Sequence, residues 1–233
     1  QFSRPMPILG YAAAILALSL ITAPAEESPP PLSAIQEIEL VHFSHTDVGF
    51  TDHPVVCREL YVRYLDLAVD AVLESSNQPE DQRFVWTAEA TLPVDDWWRN
   101  ADPSRRRRFL EAVNTGRLEI TALAFNNTPF LNARQWETML HWLPEDLWQK
   151  VQPRAAVQND VNGFPRAAAM GLLDRGVNYL FTGINEDSGG SPFPRPSAFW
   201  WVMPDGRRMF VWLNIGYGSG FNLFEPREWR RGP

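Results

Sequence analysis

Ala155-Ala156-Val157-Gln158, the polar turn Asn159-Asp160-Val161-Asn162, the stretch Gly163 to Asp174, and Val177-Asn178-Tyr179-Leu180-Phe181-Thr182 follow one another directly. A short apolar run, a turn, a segment of helical periodicity and a second apolar run make a β-α-β unit, whose two strands lie parallel. Outward from this unit the alternation continues. Toward the N-terminus, Leu118 to Ala122 reads as a strand, preceded by a helix over Pro103 to Asn114 that Gly116 ends. Arg83 to Thr87 is a further strand. Pro54 to Glu74 is a helix, with Cys57, Tyr61, Leu65, Ala68 and Val72 at helical spacing and Pro54 in its first turn. Ile38 to Phe43 is the first strand. Asn132 to Lys150 is helical in character and interrupted at Pro144. Beyond the central unit, Phe199 to Val202 and Met209 to Leu213 flank Asp205-Gly206 and read as a hairpin. The expected class is α/β with a parallel sheet; five strands before the hairpin are too few for a complete eightfold barrel.

Composition narrows the function. Hydrophobic residues make up 45% of the 233 and charged residues 21%, which excludes a disordered chain. The 28 acidic residues outnumber the 21 basic ones, a net of −7 that argues against a dedicated nucleic-acid binder. The single cysteine, Cys57, allows neither an internal disulfide nor a CxxC site, and its place in a helical apolar pattern makes it a packing thiol. The arginine run Arg105 to Arg108 reads as a solvated helix face.

At the N-terminus, Gly10 to Thr22 (GYAAAILALSLIT) is uncharged and apolar, preceded by Arg4 and followed by Ala23-Pro24-Ala25. A positive start, a short apolar core and an A-x-A site have the form of a signal peptide over residues 1–25, so a secreted or periplasmic protein is expected. The core is shorter than the ~20 residues that span a bilayer. Residues 26–35 are a proline-rich linker, and residues 36–233 carry the folded domain.

In parallel α/β architectures functional side chains lie just past the C-terminal ends of strands. Three strand ends carry polar groups there: Ser44-His45-Thr46-Asp47, Asn159-Asp160, and Gly183-Ile184-Asn185-Glu186-Asp187. His45 and Asp47, two apart in an extended segment, point to one side, and an imidazole with a carboxylate suits Zn²⁺. Asp160 is the best candidate for a third ligand. Taken alone, an H-x-D triplet serves turn chemistry more often than metal binding. His42 is placed on a sheet surface and His53 in the turn before Pro54. Asn126-Asn127-Thr128 matches a glycosylation sequon in form only, since Pro129 follows it.

His42 to Phe50, HFSHTDVGF, resembles the opening motif of glycoside hydrolase family 38, the zinc-dependent α-mannosidases, whose usual form is HSHNDPGW. Further matches follow in order: Trp86-Thr87-Ala88-Glu89 with Trp97-Trp98, Gly116 to Ile120, Gln158 to Gly163, Gly176 to Gly183, and the 199–213 hairpin. The resemblance implies a seven-stranded β/α barrel, incomplete at its C-terminal side in this chain. It implies His45, Asp47 and Asp160 as zinc ligands, Asp160 as catalytic nucleophile, and Phe50 as an aromatic residue stacking on the sugar. It also implies that the general acid and a fourth ligand, a histidine, lie beyond Pro233, and that the isolated piece is unstable or poorly soluble. Thr46, Val48 and Phe50 stand where the usual motif has Asn, Pro and Trp, and Asp160-Val161-Asn162-Gly163 departs from D-P-F-G; these changes bear on the substrate more than on the metal.

The chemistry fits those residue types. A retaining glycosidase needs one carboxylate to attack the anomeric carbon and a second carboxyl group to protonate the leaving oxygen. The expected activity is hydrolysis of α-mannosides or related glycans. Two other readings stand beside it: a metal-dependent polysaccharide deacetylase, for which the paired H-x-x-x-H motif is missing, and an inactive sugar-binding fragment.

Overall fold

The computed structural model describes residues 41–217 except 186, 188, 192 and 215. The expected signal peptide, linker, first half of the first strand and C-terminal tail therefore lie outside the described residues, as does Glu186.

The chain runs through α1 (Pro54–Glu74), β1 (Trp86–Ala88), α2 (Thr91–Asn100), α3 (Pro103–Asn114), β2 (Leu118–Ile120), α4 (Ala133–Leu140), α5 (Glu145–Val151), β3 (Ala155–Asn159), α6 (Arg166–Asp174), β4 (Tyr179–Gly183), β5 (Ser197–Val202) and β6 (Arg208–Leu213). Strands β1 and β2 pair in parallel, and a second sheet has the order β3-β4-β6-β5. Every pair in it is parallel except β5 with β6, the hairpin. Single backbone hydrogen bonds join these pieces into one row. The Thr87 N–H donates to the His42 carbonyl at 2.7 Å, and the Ala122 N–H to the Ala155 carbonyl at 2.9 Å. Val41 to Phe43 is thus extended beside β1 without forming a regular strand. The row is a mixed α/β arrangement with no closed barrel among the described residues.

Local sequence explains most element boundaries. The His53 ring caps α1 by accepting from the Val55 N–H, the turn role expected of it. The helical stretch 132–150 divides into two helices at Pro144. Asn132 and Gln135 close a capping box on the first, and Pro144 precedes the second. Helix α6 starts at Arg166, three residues later than periodicity indicates, because Phe164 precedes a proline and is pushed out of the α region. Helix α2 was not expected. Its Pro93 looks like a breaker but sits in the first turn, where the missing N–H is no loss. The α2 N–H groups of Thr91 and Leu92 find their acceptors across the chain, in the carbonyls of Leu123 and Ala124.

The core lies between the sheet row and the helices that cover it, with Trp97, Phe109, Leu118, Ile120, Leu147, Leu172 and Met209 fully buried. Phe109 of α3 stacks at an angle on Trp97 of α2, ring centres 5.2 Å apart. The arginine run is less solvated than its charge suggests. Arg105 pairs with Asp66 and lies over the Trp97 ring, Arg106 lies over Trp98, and Arg108 pairs with Asp70. Only Arg107 and Arg108 are exposed. Cys57 is buried in α1 as a packing residue. No helix among the described residues is long and apolar enough to cross a membrane.

Because Phe109 is wholly enclosed, Phe109→Ala in the full-length protein should lower unfolding stability by about 3–5 kcal/mol, read as a shifted denaturant midpoint at unchanged slope.

Candidate metal centre

All strands but β5 run the same way, so their C-terminal ends form one rim. His45 and Asp47 follow the extended 41–43 segment, Glu89 follows β1, Asn159 ends β3 with Asp160 next, and Asn185 lies two residues past β4. The three residues singled out from sequence meet there. His45 Nε2 lies 3.5 Å from Asp47 Oδ1 and 3.6 Å from Asp160 Oδ2. One donor atom from each of the three falls within 4.8 Å of the others.

The loop holding His45 and Asp47 is fixed from two sides. The Tyr61 hydroxyl of α1 donates to the His45 carbonyl at 3.0 Å and accepts from the Asp47 N–H at 2.8 Å. Glu89, with no exposed side-chain surface, accepts from the Thr46 N–H at 2.5 Å and meets His45 Nδ1 at 3.1 Å. Asp160 takes a left-handed backbone (φ 62°), which a non-glycine residue adopts rarely and Asp more readily than most. Its N–H donates to the Gly183 carbonyl, and Asn185 Nδ2 donates to its Oδ1 at 2.7 Å. Tyr217, past the end of β6, donates its hydroxyl to the same carboxylate, and its ring lies 5.0 Å from that of His45. Tyr217 comes this close because Gly183 has no side chain: a Cβ there would lie 2.7 Å from both the Gly216 carbonyl oxygen and Tyr217 Cβ.

Electrostatics follow from this packing. Burial works against protonating His45, but the Glu89 hydrogen bond and the carboxylates of Glu89, Asp47 and Asp160 outweigh it and raise its pKa. Burial raises Asp47, and the neighbouring Asp160 and Glu89 charges add to this against the pull of His45. Burial also pushes Asp160 upward, yet hydrogen bonds from Tyr217 and Asn185 and the charge of His45 hold it below its ordinary value. The two acids are thus pushed in opposite directions, Asp160 toward the ionised form and Asp47 away from it.

A divalent cation suits this donor set. His45 Nε2 is buried and has no hydrogen-bond partner, although two carboxylates face it. Donors about 2.1 Å from one tetrahedral centre stand about 3.4 Å apart, close to the two observed separations. The carboxylates keep 21% and 27% side-chain exposure, so the centre is open to a ligand from solvent.

Phe50 stands 88% exposed after Gly49, free to offer an apolar ring. Asp187 is exposed, and its N–H closes a turn onto Asn185. His42 stands away from the cluster, its ring 6.2 Å from Phe84, and His141 caps α4. The Asn126 side chain receives the Asn159 N–H at 2.8 Å and buries its amide nitrogen, so the apparent sequon is a structural element. Sequence reasoning assigned no role to Tyr61, Glu89, Asn159, Asn185 or Tyr217. Glu89 and Asn185 sit at strand ends where a signal existed; Tyr217 carried none.

With an imidazole and two carboxylates gathered on the rim of a parallel α/β sheet, comparison with known proteins becomes specific. Residues 36–220 match the model of the glycosyl hydrolases family 38 N-terminal domain, and the chain belongs to that family. Alpha-mannosidase 2 of Arabidopsis thaliana is 29% identical over 84 residues, covering 36% of this chain and 7% of that protein. An α-mannosidase structure from Enterococcus faecalis V583 superposes with TM-score 0.58 at 17% identity, over 74% of this chain and 19% of that one. A family 38 protein from Enterococcus faecalis gives TM-score 0.52 at 16% identity, over 81% and 19%. The chain thus spans less than a fifth of each relative's length.

The phenolate of Tyr217 would form against the Asp160 charge it now hydrogen-bonds, which pushes its pKa up to about 12. In the metal-free protein Tyr217 should therefore stay protonated in an ultraviolet titration carried to about pH 11, and Asp160→Asn should lower its ionisation toward the ordinary value of about 10. Subtraction of the Tyr217→Phe titration assigns the signal.

Proposed function

We propose that the full-length protein is a zinc-dependent retaining glycosidase acting on α-mannosides or related glycans. The observation that carries this reading is the orphaned His45 Nε2 facing Asp47 and Asp160 in a family 38 chain. His45, Asp47 and Asp160 would hold the zinc. When bound, zinc supplies a Lewis acid that grips sugar hydroxyls and orients the ring. The relatives named as α-mannosidases support the substrate class.

In this reading Asp160 is the nucleophile. Its carboxylate attacks the anomeric carbon as the glycosidic bond breaks, giving a glycosyl ester that water later hydrolyses with net retention. Asn185 and Tyr217 orient the carboxylate and keep it ionised for that attack. The leaving oxygen takes its proton from a second carboxyl group. Phe50 packs its exposed ring against the apolar face of the sugar. We further propose that the strand row is part of a seven-stranded β/α barrel. Six adjacent segments running in one direction, 41–43 through β6, support that closure. The apolar run at 10–22, followed by an A-x-A site, supports export through a signal peptide.

The full-length protein should release aryl alcohol from an aryl α-mannoside, lose that activity to a chelator and regain it with Zn²⁺. Asp160→Asn should lower kcat by a factor on the order of 10³ or more. Nuclear magnetic resonance of early product should show α-mannose first. Release of β-mannose first, or turnover of acetylated sugars in place of mannosides, would overturn the assignment.

A further inference from the structure

Outside the three donors, the most constrained polar group on the rim is Glu89. It lies one residue past β1, is 3% exposed overall, and its side chain has no exposed surface. Burying a carboxylate is costly unless its lone pairs are occupied. Here both oxygens are. Oε2 accepts from the Thr46 N–H at 2.5 Å, while Oε1 accepts from Asn159 Nδ2 at 2.8 Å and faces His45 Nδ1 at 3.1 Å. Asn159 in turn accepts the Gly183 N–H at 3.0 Å through its Oδ1. The Glu89 backbone carbonyl is held by the Thr121 hydroxyl at 2.5 Å. One side chain therefore ties together the loop of His45, the end of β3 next to Asp160, and, through Asn159, the end of β4.

We propose that Glu89 is the positioning residue of this centre: by accepting the Nδ1 proton of His45 it presents the bare Nε2 to Asp47 and Asp160, and by holding Asn159 it sets how far Asp160 stands from that nitrogen. The metal-binding consequence rests on the zinc reading above; the positioning of His45 does not. A carboxylate is required for this, since all three of its neighbours act as donors. In Glu89→Gln, an amide oxygen turned toward His45 and Asn159 leaves its NH₂ against the Thr46 N–H. Turned the other way, the NH₂ opposes Asn159 and moves the His45 proton to Nε2, which removes the lone pair from the centre.

The experiment combines two readouts on the full-length protein. Nitrogen NMR of metal-free parent protein at alkaline pH, where the imidazole is neutral, should place the His45 proton on Nδ1. Chelator competition should show Glu89→Gln binding Zn²⁺ about 10–100-fold more weakly than the parent, with its far-ultraviolet circular dichroism retained. A parent carrying the proton on Nε2, or a folded variant whose zinc affinity stays within about twofold of the parent, overturns the proposal. If Glu89→Gln does not fold, the tautomer of the parent decides the matter alone. A parent with the proton on Nδ1 that takes up no zinc overturns the metal reading and leaves the positioning of His45 by Glu89 standing.

Discussion

A carboxylate sealed from water must have every lone pair answered, and at Glu89 the answering groups come from two separate stretches of chain, residues 45–46 and Asn159. That requirement couples the loop after the first extended segment to the end of the third strand, which lies 70 residues beyond Glu89. The imidazole of His45 is consequently not free to rotate or choose its tautomer. One nitrogen is engaged, and the other is left buried, unpartnered and facing two more carboxylates. Such an arrangement is unfavourable as an empty polar pocket, because unpaired buried groups and clustered negative charge both raise the energy. A bound cation relieves both at once.

The fold makes this possible through direction. With β1 to β4 and β6 all parallel, each strand delivers its last residue to the same rim, so groups remote in sequence converge without long loops. Helices hold the rim from outside. Tyr61 reaches from α1 to clamp the backbone on both sides of Thr46, and α2 borrows its N-terminal hydrogen bonds from the strand-end segment 123–124. At β4 the absence of a side chain on Gly183 lets residues 216–217 cross close enough for Tyr217 to reach Asp160. Aromatic packing between α2 and α3 anchors the scaffold beneath, reinforced by Arg105 and Arg106 over tryptophan rings and by Arg105 and Arg108 pairing with acids of α1.

Within glycosyl hydrolases family 38, the distribution of charge around Asp160 suits its proposed role. A nucleophilic carboxylate needs to be ionised yet weakly solvated, and two neutral donors, Tyr217 and Asn185, stabilise the charge without neutralising it. Asp47, pushed the other way by burial, is a poorer anion in the metal-free protein. Two carboxylates on one centre thus differ in character: hydrogen bonds and the His45 charge hold Asp160 down, while burial and neighbouring acids push Asp47 up.

Much of this was legible in the linear chain. Hydrophobic alternation placed β1 to β6 within a few residues, Pro144 divided one helical stretch in two, and the strand-end rule pointed to His45, Asp47 and Asp160. These features are local, set by side-chain periodicity, proline geometry and the direction of parallel strands. Helix α2 was hidden because Pro93 reads as a breaker unless its position in the first turn is known. Glu89, Tyr61 and Tyr217 owe their roles to partners 14 to 70 residues away. The chain by itself determined which strands form and which acids and imidazole crown them. Only the tertiary structure decided which of those groups are sealed from water and which neighbours satisfy them, because burial and hydrogen bonding are properties of the space between segments.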